Sequence, residues 1–137
     1  MFSSKKPGKK PDVYLLLIDD EKDFLTSMDF WFKSQGYHVE TAPTGTEALD
    51  FLKKKMPSVI FLNVQMPNGE GIETLRRIRE LSADVPVVML SAFGSEEVRV
   101  DAYKLGVNGF FDKSSNFYEA QHLINSLVRV VARKNTP

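Results

Sequence analysis

The sequence contains no cysteine, so it can form neither a disulfide nor a thiolate metal site. Its only histidines, His38 and His122, lie far apart with no paired spacing, which argues against an imidazole metal centre and against a Ser-His-Asp set. No apolar run approaches the roughly 18 residues that a membrane-spanning helix needs. There is no GK[ST] phosphate loop, and "GEG" at 69–71 is too short and wrongly placed for a dinucleotide-binding turn. Net charge is missing as well: 18 basic and 18 acidic side chains cancel over 137 residues. The cancellation is uneven. Residues 1–12 hold Lys5, Lys6, Lys9 and Lys10 against Asp12, a balance of +3, which leaves −3 on the remainder. A body of that sign is a poor nucleic-acid binder on its own. The segment 1–12 lacks the apolar centre of a secretory signal and reads as a flexible, solvated basic tail or leader; a cytoplasmic location is expected.

What is present is an alternation. "VYLLLI" at 13–18, "VIFL" at 59–62 and "VPVVMLSA" at 85–92 are apolar throughout, as strands covered on both faces are. "YHVETA" at 37–42 and "NGFF" at 108–111 read as two shorter strands. Between them lie helical patterns. Phe24, Leu25, Met28, Trp31 and Phe32 recur at three- and four-residue spacing, and Gly36 closes that helix. "PTGTEALDFLKKK" turns into a second helix reaching about Lys55, with its terminal lysines on a solvated face. A third spans about Gly71–Leu81, and a fourth runs from a Ser95 cap to Gly106. The last begins at "NFYEA" and shows Phe117, Ala120, Leu123, Ile124, Leu127, Val128 and Val131 on one side. In "FWF" at 30–32, Trp31 and Phe32 fit the core stripe and Phe30 is left outward.

Strict alternation implies an α/β fold, a parallel sheet with right-handed crossovers and helices on both faces. Ligands of such sheets sit beyond the carboxyl ends of the strands. Those ends are Asp19-Asp20, Asn63, Ser91 and Asp112-Lys113. Adjacent carboxylates repel unless a cation or donor compensates, and oxygen ligands without sulfur or imidazole suit a hard ion such as Mg2+. Each residue alone has a plainer reading: acids favour a helix start, Asn63 forms turns, Ser91 ends a strand, Lys113 sits at a surface. Their gathering at one sheet edge is the informative feature.

The order "LIDDE", "VIFLNVQMPNGEG", "VVMLSA" and "GVNGFFDK", supported by "GYHVETAPTGTEAL" and "LRRIR", resembles the receiver domain of bacterial two-component response regulators over about residues 13–133. The resemblance implies a five-stranded, doubly wound, flavodoxin-like sheet of order 2-1-3-4-5, followed by a short tail at 134–137. It implies that Asp19, Asp20 and the backbone carbonyl of Gln65 hold Mg2+. It also implies that Ser91, with Ala92 after it, follows the phosphoryl group, that Lys113 pairs with the acceptor site, and that Phe110 stands at the aromatic switch. Implied partners are a sensor histidine kinase or a downstream signalling protein, and a second copy through the fourth helix, fifth strand and fifth helix, where Val98, Tyr103, Lys104 and Phe110 lie.

Asn63 stands where that family carries its phospho-accepting aspartate. Acceptance needs a carboxylate that attacks phosphorus, and an amide has no anionic oxygen. The residue is therefore not an ordinary acceptor. Its amide oxygen is expected to take one hydrogen bond from Lys113 and to remain available to a weakly bound Mg2+. Without a phosphoryl group, the region around Ser91 is expected to rest in its unphosphorylated arrangement. Ser114 replaces the proline usual after the lysine, so a cis bond is not expected there. Two readings follow: a regulatory module that works without phosphorylation and is no enzyme, or an ordinary receiver whose aspartate has been exchanged, with codon 63 of the gene separating them. Either chain could be the receiver fragment of a larger DNA-binding regulator.

Overall fold

The computed structural model describes residues 13–92 and 96–134. The basic segment 1–12, the Ser95 cap, the side chain of Val131 and the tail beyond residue 134 lie outside the described residues. Five strands alternate with five helices: β1 (Tyr14–Ile18), α1 (Lys22–Ser34), β2 (His38–Ala42), α2 (Gly45–Lys54), β3 (Val59–Asn63), α3 (Glu70–Leu81), β4 (Val87–Ser91), α4 (Glu96–Lys104), β5 (Gly109–Asp112) and α5 (Phe117–Lys134). All pairings are parallel and the order is β2-β1-β3-β4-β5, the doubly wound arrangement expected.

The apolar runs are continuous because both faces of the sheet are covered. Side chains alternate sides along each strand. Leu16, Ile18, Ile60, Leu62, Val87 and Met89 share one core with Ala48, Leu52, Leu75, Ile78 and Ala102 from α2, α3 and α4. Leu15, Leu17, Val59, Phe61, Val88 and Leu90 share the other with Leu25, Met28 and Phe32 of α1 and Ala120 and Ile124 of α5. Each fully buried Val, Leu, Ile, Phe or Met among them contributes about 1.5–3 kcal/mol of burial. Phe32 is buried with Trp31 set edge-on to it at 5.0 Å, while Phe30 is 75% exposed, as the stripe demands.

Local chemistry sets the element ends. The Thr44 hydroxyl accepts from the Glu47 N–H, which starts α2. Gly36 and Gly106, at φ +94° and +76°, end α1 and α4 in the left-handed region open to glycine. Most element ends differ from the sequence reading by a residue or two, and three of the differences are informative. A short 3-10 turn, Pro67–Gly69, precedes α3. β5 starts at Gly109 because Asn108 instead brackets Val87, accepting its N–H at 2.8 Å through Oδ1 and donating its own N–H to the Val87 carbonyl at 2.7 Å. α5 starts at Phe117 because the Asn116 side chain accepts from the Glu119 N–H as a cap.

Register aligns the carboxyl ends. Ile18 pairs with both Ala42 and Leu62, Asn63 with Leu90, and Ser91 with Asp112. Asp19 and Asn63 thus lie side by side, one step past the Ile18–Leu62 pair. Gly71 fixes the loop that follows Asn63: a Cβ there would stand 2.4 Å from the Val64 backbone. Gly71→Ala is therefore expected to lower stability by about 1–3 kcal/mol as an overpacking change, measurable as a shifted denaturant midpoint with unchanged slope.

Candidate functional site at the carboxyl edge of the sheet

Asp19 leaves β1 with no exposed surface, while Asp20 and Glu21 reach solvent. Its Oδ1 accepts the Glu21 N–H at 2.9 Å, which turns the chain into α1. Asn63, 6% exposed, donates through Nδ2 to Asp19 Oδ1 at 3.1 Å and to Asp20 Oδ1 at 3.3 Å. Its Oδ1 accepts the Gln65 N–H at 2.9 Å. Lys113 Nζ stands 2.7 Å from Asp19 Oδ2, also pairs with Glu21 Oε1, and lies 4.7 Å over the Phe24 ring. Burial alone would lower the Lys113 ammonium, but its bonds to Asp19 and Glu21 outweigh that and raise it above the ordinary lysine value. The Lys113 N–H in turn donates to the Ser91 carbonyl at 2.9 Å.

Two expectations change here. Lys113 does not bond Asn63, and the amide oxygen does not face the acids. The reason is donor arithmetic: carboxylates only accept, so the amide turns its NH2 toward them and its oxygen toward the Gln65 N–H. The lysine goes to full negative charges rather than to a neutral dipole.

The remaining residues surround this centre. Ser91 is buried, and Ala92 lines an open cleft of about 370 Å³ with Glu21, Phe24, Asp112, Lys113 and Ser114. The peptide bonds here are trans, as expected. Ser114 uses the N–H that a proline would lack: its N–H and hydroxyl both donate to Asp112 Oδ1, at 2.8 and 2.7 Å, which holds that carboxyl below the usual range. Phe110 is half-buried and faces α4, with the Arg99 guanidinium 4.9 Å over its ring and the Tyr103 ring at 5.6 Å. Arg99 gives an outward ring the partner that its missing hydroxyl does not. Tyr103 and Lys104 are exposed and Val98 is half-buried on the same helix. Glu21 and Arg99 are contributors the sequence reading missed, and so, at the opposite amino end of β4 and β5 and away from the site, is Arg79. Arg79 donates to the carbonyls of Leu105, Ser82, Val85 and Gly106, tying the ends of α3 and α4 together. One signal was legible: Arg99 and Tyr103 are four residues apart, hence on one helix face.

Chemically, the arrangement is a buried acid held by a lysine, beside an amide with no anionic oxygen. Fold and site together define a doubly wound α/β domain with an acid–lysine pocket at its strand ends. The response regulator receiver domain model matches residues 15–125. The chain belongs to that family. It is 28% identical over 123 residues to the response regulator SaeR of Staphylococcus epidermidis, covering 90% of this chain and 53% of that protein. It is 31% identical over 117 residues to the response regulator MprA of Mycobacterium sp. strain KMS, covering 85% and 51%. The chain thus spans about half the length of these curated relatives. Among solved structures, a response regulator receiver domain protein from Methanospirillum hungatei superposes with a TM-score of 0.84 at 22% identity, covering 90% of this chain and 98% of that one. A response regulator from Chloroflexus aurantiacus does so with a TM-score of 0.79 at 25% identity, covering 88% and 99%. No helix among the described residues is long and apolar enough to cross a membrane.

Receiver domains generally bind Mg2+ in their acidic pocket. The donors of this chain, as arranged, do not fit that ion. Asp19 Oδ1 takes two hydrogen bonds, Asp19 Oδ2 is ion-paired with Lys113 but accepts no well-formed hydrogen bond, and an NH2 group rather than an oxygen is turned toward the acid pair.

Proposed function

We propose that this chain is a receiver domain, spanning residues 13–133, that acts in two-component signalling as a regulatory and interaction module and not as an enzyme, because residue 63 takes no phosphoryl group. The observation that carries this is the Asn63 amide, spent on Asp19, Asp20 and the Gln65 N–H, with no anionic oxygen to attack phosphorus. In this reading Asp19, Asp20 and the Gln65 carbonyl mark the former metal side of the pocket. Ser91, Ala92 and Lys113 mark the phosphoryl side, and Phe110 marks the switch. The resting arrangement around Ser91 is the unphosphorylated one, since nothing at residue 63 draws the hydroxyl in. Partners are a sensor histidine kinase or a downstream signalling protein in the cytoplasm, with α4, β5 and α5 available to a second copy. Attached output segments, such as a DNA-binding domain, would supply any contact to nucleic acid.

A second reading has its own support. Asp19, Asp20, Ser91 and Lys113 form a phosphoryl pocket complete except for one atom type at residue 63, which is what an exchanged aspartate would leave.

Trifluoroberyllate separates a working acceptor from a spent one, because it must coordinate a carboxylate oxygen. Amide NMR spectra of the chain are expected to be unchanged by trifluoroberyllate with Mg2+. Shifts spreading from Asn63 to Ser91 and Phe110 would contradict the proposal.

A further inference from the structure

We infer that the Asn63 amide closes the acid pocket to divalent cations, so that the pocket gains affinity for Mg2+ when the amide is removed. The inference rests on the receiver reading in one respect: that a pocket of this lineage would otherwise take Mg2+. Its content comes from the hydrogen bonds.

A carboxylate oxygen has about two acceptor positions. Asp19 Oδ1 uses both, on the Glu21 N–H at 2.9 Å and Asn63 Nδ2 at 3.1 Å. Asp19 Oδ2 is ion-paired with Lys113 at 2.7 Å, although the geometry is not that of a hydrogen bond. Asp20 Oδ1 receives the second amide hydrogen at 3.3 Å. An ion bridging the two acids through their Oδ1 atoms needs the same oxygens that the NH2 group occupies, and any ion between the acids meets that NH2 group. Mg2+ also demands near-octahedral oxygen geometry at roughly 2.0–2.1 Å, and a donor NH2 group turned between the acids takes one of those directions without supplying a ligand.

Rotating the amide by half a turn would offer its oxygen to a cation. That rotation is opposed from the other side. It would set the NH2 group against the Gln65 N–H, donor facing donor, and lose the 2.9 Å bond. Acceptors on one side and a donor on the other fix one orientation, and it is the one that repels a cation. The amide therefore supplies, as a tethered neutral donor, part of the compensation that a cation would bring to the acid pair.

This makes an unusual ordering. If the amide oxygen were a ligand, deleting it would weaken Mg2+ binding. If the amide blocks the site, deleting it strengthens binding. Calorimetric titration with MgCl2, and thermal unfolding with and without it, are applied to the full chain, Asn63→Ala and Asn63→Asp. The unsubstituted chain is expected to show no binding heat and no rise in Tm up to about 10 mM Mg2+, since a ligand stabilises only what it binds. Asn63→Ala is expected to bind at least about tenfold more tightly than the unsubstituted chain, about 1.4 kcal/mol. Asn63→Asp is expected to bind more tightly still. A Tm of the unsubstituted chain that climbs with Mg2+ overturns the inference, as does weaker binding by Asn63→Ala or no Mg2+ response in either variant. The unsubstituted chain and the isosteric Asn63→Asp decide the matter even if Asn63→Ala fails to fold. Trifluoroberyllate, which reports on the acceptor, tests the receiver reading separately.

Discussion

Asn63→Asp is expected to be less stable than the unsubstituted chain by about 3 kcal/mol without divalent ions, even though in the proposed reading it restores the acceptor carboxylate. The amide now donates two hydrogen bonds to carboxylates, each worth roughly 1.5–3 kcal/mol because the acceptor is charged. The aspartate donates none and adds a third negative charge beside Asp19 and Asp20, at positions now 3.1 and 3.3 Å apart as donor and acceptor. Only the bond from the Gln65 N–H survives, since a carboxylate can still accept it. For a domain of this size the deficit corresponds to a Tm lower by roughly 10 °C. Mg2+ should return most of it, about 2.7 kcal/mol when its concentration is a hundredfold above Kd. Differential scanning calorimetry with and without MgCl2 checks this. A variant as stable as the unsubstituted chain in metal-free buffer would show that the amide bonds carry little.

Lys113→Met is expected to cost about 3–5 kcal/mol, because it strands a buried carboxylate rather than merely deleting a contact. Asp19 has no exposed surface and the lysine side chain is 9% exposed, so water cannot replace the pair. Glu21→Gln removes the other partner of the same ammonium but should cost under about 1 kcal/mol, since Glu21 is 62% exposed. Adding Asp19→Asn to Lys113→Met should recover much of the loss, the mark of a coupled pair. The pH dependence has a definite sign. Burial disfavours the Lys113 ammonium, and bonding to Asp19 and Glu21 more than restores it, so the folded value lies above the unfolded one. Its contribution is then fully present below the unfolded lysine value of about 10.4 and is lost as pH rises through the folded value. Urea unfolding should show that alkaline loss in the unsubstituted chain and its absence in Lys113→Met. Equal alkaline slopes would contradict the assignment.

The strands and helices were legible because hydrophobic period is a local signal: Leu15 to Ile18 and Val59 to Leu62 read as doubly covered strands, and the stripe of Trp31 and Phe32 left Phe30 outward. The strand ends were legible because alternation fixes a parallel sheet, and a parallel sheet collects Asp19, Asn63, Ser91 and Lys113 at one edge. What escaped was orientation. Which way the Asn63 amide turns depends on the Gln65 N–H on one side and two carboxylates on the other, and no pattern in the sequence carries that. Glu21 read as a helix-start charge because its pairing with Lys113 spans 92 positions. Asn108 read as strand because its side chain imitates a ladder partner for Val87. Arg79 read as part of "LRRIR", whereas its guanidinium joins carbonyls from loops 26 and 27 residues away.

Phosphoryl transfer to residue 63 is the most direct test of the account. The chain and its Asn63→Asp variant are incubated with acetyl phosphate and Mg2+ and weighed intact by mass spectrometry, with and without hydroxylamine. No hydroxylamine-sensitive phosphoryl adduct is expected on the unsubstituted chain, and one such adduct is expected on Asn63→Asp. An adduct mapped to Asn63 itself, or none on the aspartate variant, would contradict it.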